Sequence, residues 1–81
     1  MTPMSKITIY STPDCVYCKM ARKFFNDRGI VYEEYDVSVD AKARTEMEAF
    51  SHQLGVPVIV IGDEVFVGFD RRAIATKLGV R

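Results

Sequence analysis

Lys6-Ile7-Thr8-Ile9-Tyr10-Ser11-Thr12-Pro13-Asp14-Cys15-Val16-Tyr17-Cys18 passes from one structural period to another. Lys6 to Tyr10 alternates and is rich in β-branched residues, the pattern of a strand. Ser11-Thr12-Pro13-Asp14 is a turn cluster built from residues that start helices. From Cys15 to Arg28 the period is helical: Cys18, Ala21 and Phe25 share one face, while Lys19, Arg22, Lys23 and Asp27 lie elsewhere. Gly29 suits the helix end. A C-x-x-C thus falls where a strand hands over to a helix N-terminus.

The rest of the chain continues the alternation of periods. Ile30 to Val37 reads as a second strand, with Tyr32, Glu34 and Asp36 opposed to Val31, Tyr35 and Val37. Asp40 caps a helix predicted from Ala41 to about Leu54, whose inner face is Ala43, Met47, Phe50 and Leu54. Gly55 ends it. Val56-Pro57-Val58-Ile59-Val60-Ile61 is continuously apolar, as suits a strand covered on both faces, with Pro57 at its start because proline cannot donate to a ladder. Gly62-Asp63 turns the chain into Glu64-Val65-Phe66-Val67, completing a hairpin. After Gly68-Phe69, Asp70 caps a last helix with Ile74 and Leu78 inward and Gly79 at its end. The order is β-α-β-α-β-β-α. A right-handed crossover makes the first two strands parallel, and the hairpin adds antiparallel strands. The expected fold is α/β: one four-stranded mixed sheet with helices on both faces.

Length and composition bound the function. Eighty-one residues make one small domain, read here as 1–81 without linker or repeat. With 48% hydrophobic and 27% charged residues, the chain can form a core and does not read as disordered. Eleven basic and eleven acidic side chains cancel, so no field favours nucleic acid or an anionic membrane. The apolar run 56–61 is far shorter than the roughly 20 residues of a membrane span. Met1-Thr2-Pro3-Met4-Ser5-Lys6 lacks the apolar stretch of a secretory signal, so a cytoplasmic location is expected.

Cys15 and Cys18 are the only cysteines. A disulfide scaffold would show four or more. A structural zinc site needs four ligands, and His52 supplies only a third, although a metal shared between two chains stays open. A C-x-x-C between strand and helix reads as a dithiol redox site.

Three segments together carry a family resemblance: Ile9-Tyr10-Ser11-Thr12-Pro13-Asp14-Cys15-Val16-Tyr17-Cys18, Gly55-Val56-Pro57-Val58 and Gly68-Phe69-Asp70. In this element order the chain resembles a glutaredoxin-like redoxin of the thioredoxin fold over essentially its full length. Its shortness, its Cys-Val-x-Cys and its Gly-Phe before the last helix resemble the NrdH-type redoxins, which donate electrons to ribonucleotide reductase. The resemblance implies a cis Pro57 packed against the disulfide, no bound cofactor, and disulfide-containing proteins as substrates. It further implies Thr12, Tyr17, Val56, Pro57, Gly68, Phe69 and Asp70 as substrate-binding residues.

The residues themselves suggest the chemistry. A helix N-terminus offers free N–H groups and partial positive charge to a thiolate, so Cys15 is the expected nucleophile and Cys18, one turn inward, the resolving thiol. Lys19 adds to the favourable field and Asp14 opposes it. Glutaredoxins resembling this chain hold the glycyl carboxylate of glutathione with a lysine where Thr12 stands, and its amino end with acidic residues where Arg71 and Arg72 follow Asp70. Both anchors are weakened here, which favours a thioredoxin-reductase-type donor over glutathione. Asp70 can serve as a ligand residue or as a helix cap. Cations at the start of a helix oppose its dipole, so Arg71 and Arg72 suggest a purpose outside the helix, such as an acidic partner.

Three readings stay open at this point. The first is a monomeric dithiol oxidoreductase recharged by a thioredoxin-reductase-type flavoenzyme. The second is a glutathione-dependent glutaredoxin, with glutathione as co-substrate. The third is a dimeric scaffold holding an iron–sulfur cluster or metal through Cys15.

Overall fold

The computed structural model describes residues 6–80. Its elements are β1 (Ile7–Ser11), α1 (Val16–Asp27), β2 (Glu33–Asp36), α2 (Ala41–Ser51), β3 (Val58–Ile61), β4 (Glu64–Val67) and α3 (Arg71–Leu78). The sheet order is β2-β1-β3-β4; β1 runs parallel to β2 and antiparallel to β3, and β3 is antiparallel to β4. The element order and the mixed four-stranded sheet are those expected. The reading of Met1-Thr2-Pro3-Met4-Ser5 lies outside the described residues.

The two sheet faces are covered unequally. Ile7 and Ile9 of β1, with Ile59 and Ile61 of β3, pack against Ala21, Phe24 and Phe25 of α1 and Ile74 of α3. Tyr10 and Val58, on the opposite face, pack against Ala43 and Met47 of α2. The period of two along β1 and β3 therefore feeds two separate cores, and both central strands need apolar residues on both faces. The largest fully buried side chains include Phe25, Ile9, Ile59 and Ile74, so the α1–α3 side is the larger anchor. It holds α1 rigidly under the cysteine motif.

Several boundaries differ from the expected ones, each for a local reason. The first helix starts at Val16, because Cys15 has extended backbone (φ −80°, ψ 118°) and serves as the N-cap. At its other end Gly29 adopts φ +65°, with its N–H on Asn26 O and the Ile30 N–H on Phe25 O, the paired closure that a left-handed residue permits. The second strand is four residues rather than the whole of 30–37, because its first partner is Thr8 opposite Glu33. Before that point Val31 is exposed, while Tyr32 packs on the α1 core against Phe25.

The second helix stops at Ser51, not Leu54. The Ser51 hydroxyl donates to Met47 O and lies 2.9 Å from Gln53 O, and His52 turns left-handed (φ 61°), so the chain leaves the helical path before Gly55. Phe50 and Leu54, expected inward, are 50% and 56% exposed. Only Ala43 and Met47 of that predicted face are buried. The third strand begins at Val58 rather than Val56, after a cis Val56–Pro57 bond. The last helix matches the reading: Asp70 accepts from Ala73 N at 3.1 Å, Ile74 is buried and Gly79 ends it.

Candidate active site

The turn from β1 into α1 is set by backbone hydrogen bonds. Cys15 N–H donates to Thr12 O at 3.4 Å, and Lys19 N–H donates to Cys15 O at 3.1 Å, the first bond of the helix. Cys15 thereby takes the position usually given to Ser, Thr, Asp or Asn, where a side-chain atom satisfies an orphan N–H. Its Sγ accepts from the backbone N–H of Cys18 at 3.2 Å. The helix end carries partial positive charge at this point. The Lys19 side chain is exposed; its nearest link to Cys15 is through the backbone.

The two thiols differ in access. Cys15 is half-exposed and Cys18 fully buried, and both are unbridged. Burial pushes the Cys18 thiol up to about 12, helped by its hydrogen bond to Cys15 and opposed by the Thr12 backbone and the Arg22 charge. A pair of this kind differs in access and in acidity: one sulfur is reachable, and the other is held as a neutral thiol behind it.

Six of the seven residues expected to bind substrate line one groove of about 530 Å³: Tyr17, Val56, Pro57, Gly68, Phe69 and Asp70, joined by Val67 and Arg71. The Gly68 N–H donates to Pro57 O at 2.8 Å and ties the end of β4 to the start of β3. Gly68 does this at φ +84°, a conformation that a side chain would strain. The Phe69 ring meets Phe24 edge-on at 5.7 Å, fixing the groove to the α1 core. Tyr17, two residues past Cys15, is 60% exposed and brings the groove to the cysteine motif.

Thr12 is not in that groove. It lines a second, polar cleft of about 480 Å³ with Ser11, Pro13, Arg22, Glu34 and Asp36. There Arg22 pairs with Glu34, and Glu34 also accepts from the Ser11 hydroxyl at 2.7 Å. The seven residues thus fall in two places, six in the groove and Thr12 in the polar cleft. Arg22 escaped the sequence reading, which placed it away from the buried face. Its signal was its spacing, four residues after Cys18 and hence one turn along the same side of the helix. Among the described residues no cluster of three or more His, Cys, Asp or Glu could hold a metal ion, and no helix is long and apolar enough to cross a membrane.

A dithiol at the first turn of a helix, on a β2-β1-β3-β4 sheet, with a groove lined by Tyr17 of the same motif and by a cis proline, defines a redoxin of the thioredoxin fold. Residues 7–66 match the glutaredoxin family model, and the chain belongs to the glutaredoxin family of thiol–disulfide oxidoreductases. It is 41% identical over 68 residues to an uncharacterized glutaredoxin-like 8.6 kDa protein in the rubredoxin operon of Clostridium pasteurianum, covering 84% of this chain and 91% of that protein. To glutaredoxin 3 of Escherichia coli it is 30% identical, covering 83% of this chain and 81% of that one. Among solved structures, the glutaredoxin-like NrdH-redoxin of Escherichia coli superposes with a TM-score of 0.78 at 30% identity, covering 90% of this chain and 93% of that chain. The thioredoxin-like protein BC3987 does so with a TM-score of 0.82 at 34% identity, covering 88% and 97%.

Proposed function

We propose that the chain works as a single-domain dithiol redoxin, with Cys15 as nucleophile and Cys18 as resolving thiol. The observation that carries this is the Cys18 N–H on Cys15 Sγ, with the Cys18 thiol buried behind it. Cys15 thiolate attacks one sulfur of a substrate disulfide, forms a mixed disulfide and expels one substrate thiolate. Cys18 then loses its proton and attacks Cys15 Sγ, breaking the mixed disulfide and expelling the second thiolate. The substrate gains two electrons and two protons, and Cys15–Cys18 becomes the disulfide. Tyr17, Val56, Pro57, Gly68, Phe69 and Asp70 form the docking groove for the disulfide-bearing segment. Thr12 acts through its backbone, which holds Cys15 and favours the Cys18 thiolate.

The donor we assign is a thioredoxin-reductase-type flavoenzyme, with ribonucleotide reductase among the recipients. The NrdH-redoxin it resembles is described as having a thioredoxin-like activity profile. The polar cleft supports the same assignment. Its one cation, Arg22, is already paired with Glu34, and Asp36 adds a further carboxylate. A glutathione carboxylate arriving at Thr12 meets no unpaired positive charge there. Asp70, the remaining acid at the other anchor, is engaged in capping α3. With both cysteines in the redox motif, the chain suits a reducing compartment such as the cytoplasm, and we take it to act as a monomer.

The deciding measurement is NADPH oxidation coupled to reduction of a protein disulfide. Thioredoxin reductase is compared with glutathione plus glutathione reductase at equal redoxin. Faster turnover with the flavoenzyme alone is expected. Equal or faster turnover with glutathione replaces this donor by glutathione as co-substrate.

A further inference from the structure

The groove beside the cysteine motif has an apolar floor, and its rim carries the carboxylate of Asp70 and the guanidinium of Arg71. Arg71 lines it, and Arg72 follows; they are the first two residues of α3, and both are exposed. Two cations at this point raise the energy of the helix, whose free N–H groups already carry partial positive charge. Among the described residues no ion pair compensates them. The ion pairs among the described residues engage Lys6, Arg22, Lys23 and Lys77, and neither of these arginines. The neighbouring carboxylate of Asp70 is turned to the Ala73 N–H at 3.1 Å. The Arg71 guanidinium lies 5.9 Å from the Phe24 ring centroid, too far for more than a weak cation–π contact. The chain as a whole is neutral, so this rim is a local field and not the overflow of a basic protein.

Resting on the dithiol reading above, we propose that Arg71 and Arg72 make the groove selective for acidic partners: extended, disulfide-bearing protein segments with a carboxylate side chain beside the attacked half-cystine. The apolar floor accepts the segment without regard to its sequence. The two arginines then discriminate by charge, raising the encounter rate with acidic segments and opposing basic ones. The same field acts on the ammonium end of glutathione and disfavours it. Rim charges set partner choice and association rate more than affinity, so the effect shows in kcat/KM and weakens with salt.

The test uses the full chain, recharged by an external dithiol. Its substrates are disulfide-linked peptides identical except for Glu, Gln or Lys at each position flanking the half-cystine. The readout is the ratio of kcat/KM for the Glu peptide to that for the Lys peptide. A ratio of about 5 is expected at low salt for at least one position, falling toward unity near 1 M salt. Arg71→Glu with Arg72→Glu inverts the ratio, and Arg71→Gln with Arg72→Gln brings it close to unity. Because each ratio is taken within one variant, a general loss of activity does not imitate the result. A wild-type ratio within twofold of unity at every position overturns the inference, as does a ratio that the charge reversal leaves unmoved. Failure to reduce any of the peptides overturns the dithiol reading itself, and this inference with it.

Discussion

The backbone N–H of Cys18 donates to the Sγ of Cys15 at 3.2 Å, so the residue proposed to resolve the reaction also supplies a donor to the sulfur proposed to start it. This contact needs Cys15 at the N-cap and Cys18 in the first turn. No shorter spacing brings the third helical N–H to the sulfur. A polar group at Cys15 therefore serves both the helix and the chemistry.

The asymmetry of the two thiols predicts selective alkylation. A thiol pushed up to about 12 stays protonated at every pH well below that value. Native reduced protein treated with iodoacetamide at neutral pH should take up one equivalent, on Cys15, by peptide mass mapping. Cys18 should react only after unfolding. Modification of Cys18 in the folded protein at a comparable rate overturns the assignment of roles.

The same raised value predicts a pH-dependent second step. Below it, the fraction of Cys18 present as thiolate grows about tenfold for each pH unit. The lifetime of the mixed disulfide should shorten as pH rises through the neutral range, followed by stopped-flow quenching. Cys18→Ser should trap the adduct at all pH values, and Cys15→Ser should form none. A trap found with Cys15→Ser, and not with Cys18→Ser, exchanges the roles.

Arg22 and Glu34 join α1 to β2, with side chains 25% and 28% exposed. Arg22→Met leaves the carboxylate of Glu34 with Ser11 alone and removes a charge that favours the Cys18 thiolate. We expect a loss of about 1 kcal/mol in stability, between an exposed and a buried pair, and a slower second step. Denaturant titration reads the first and adduct lifetime the second. Arg22→Lys should restore the rate more than the stability, because lysine keeps the charge and loses the planar fork. A full recovery of stability with an unrecovered rate contradicts this account.

Thr12→Lys places a second cation at the edge of the polar cleft, beside Arg22. A charge-assisted contact is stronger than a neutral one by roughly 1 kcal/mol, which corresponds to about a 5-fold tighter complex. The KM for glutathione should fall by about that factor in the coupled assay, with the thioredoxin-reductase activity little changed. An unaltered KM shows that glutathione, when it reacts, does not lie against this cleft.

Asp70 separates cap from ligand. Asn caps a helix about as well as Asp, whereas Ala costs about 1 kcal/mol. Asp70→Asn should keep the melting temperature and Asp70→Ala should lower it by roughly 4–8 °C for a domain of this size. If glutathione turnover falls with Asp70→Asn while stability holds, the carboxylate is a ligand as well as a cap.

Much of this molecule was legible along the chain. The strand of Ile7 to Ser11 and the apolar run into Ile61 show their period directly, because each side chain of a central strand must be buried on one face or the other. The caps at Asp40 and Asp70 and the helix-ending Gly79 are local chemistry within a few residues, and the chain carries them unaided. The cysteine pair at a helix start is of the same kind. Other features depended on what lies across the fold. Phe50 and Leu54 have helical spacing, yet the second sheet face carries only α2, and its short chain turns away through Ser51 and His52 before they can be covered. Arg22 reads as a solvent-facing residue until Glu34 arrives from β2, twelve residues on. The groove gathers Tyr17 of α1, Pro57 before β3 and Arg71 of α3, and Thr12 lines a separate cleft. Periodicity reports which side of its own element a residue occupies. Only the packing of α1 and α3 on one sheet face decides which residues from separate elements share a groove, because that contact sets positions between residues that no local interaction connects.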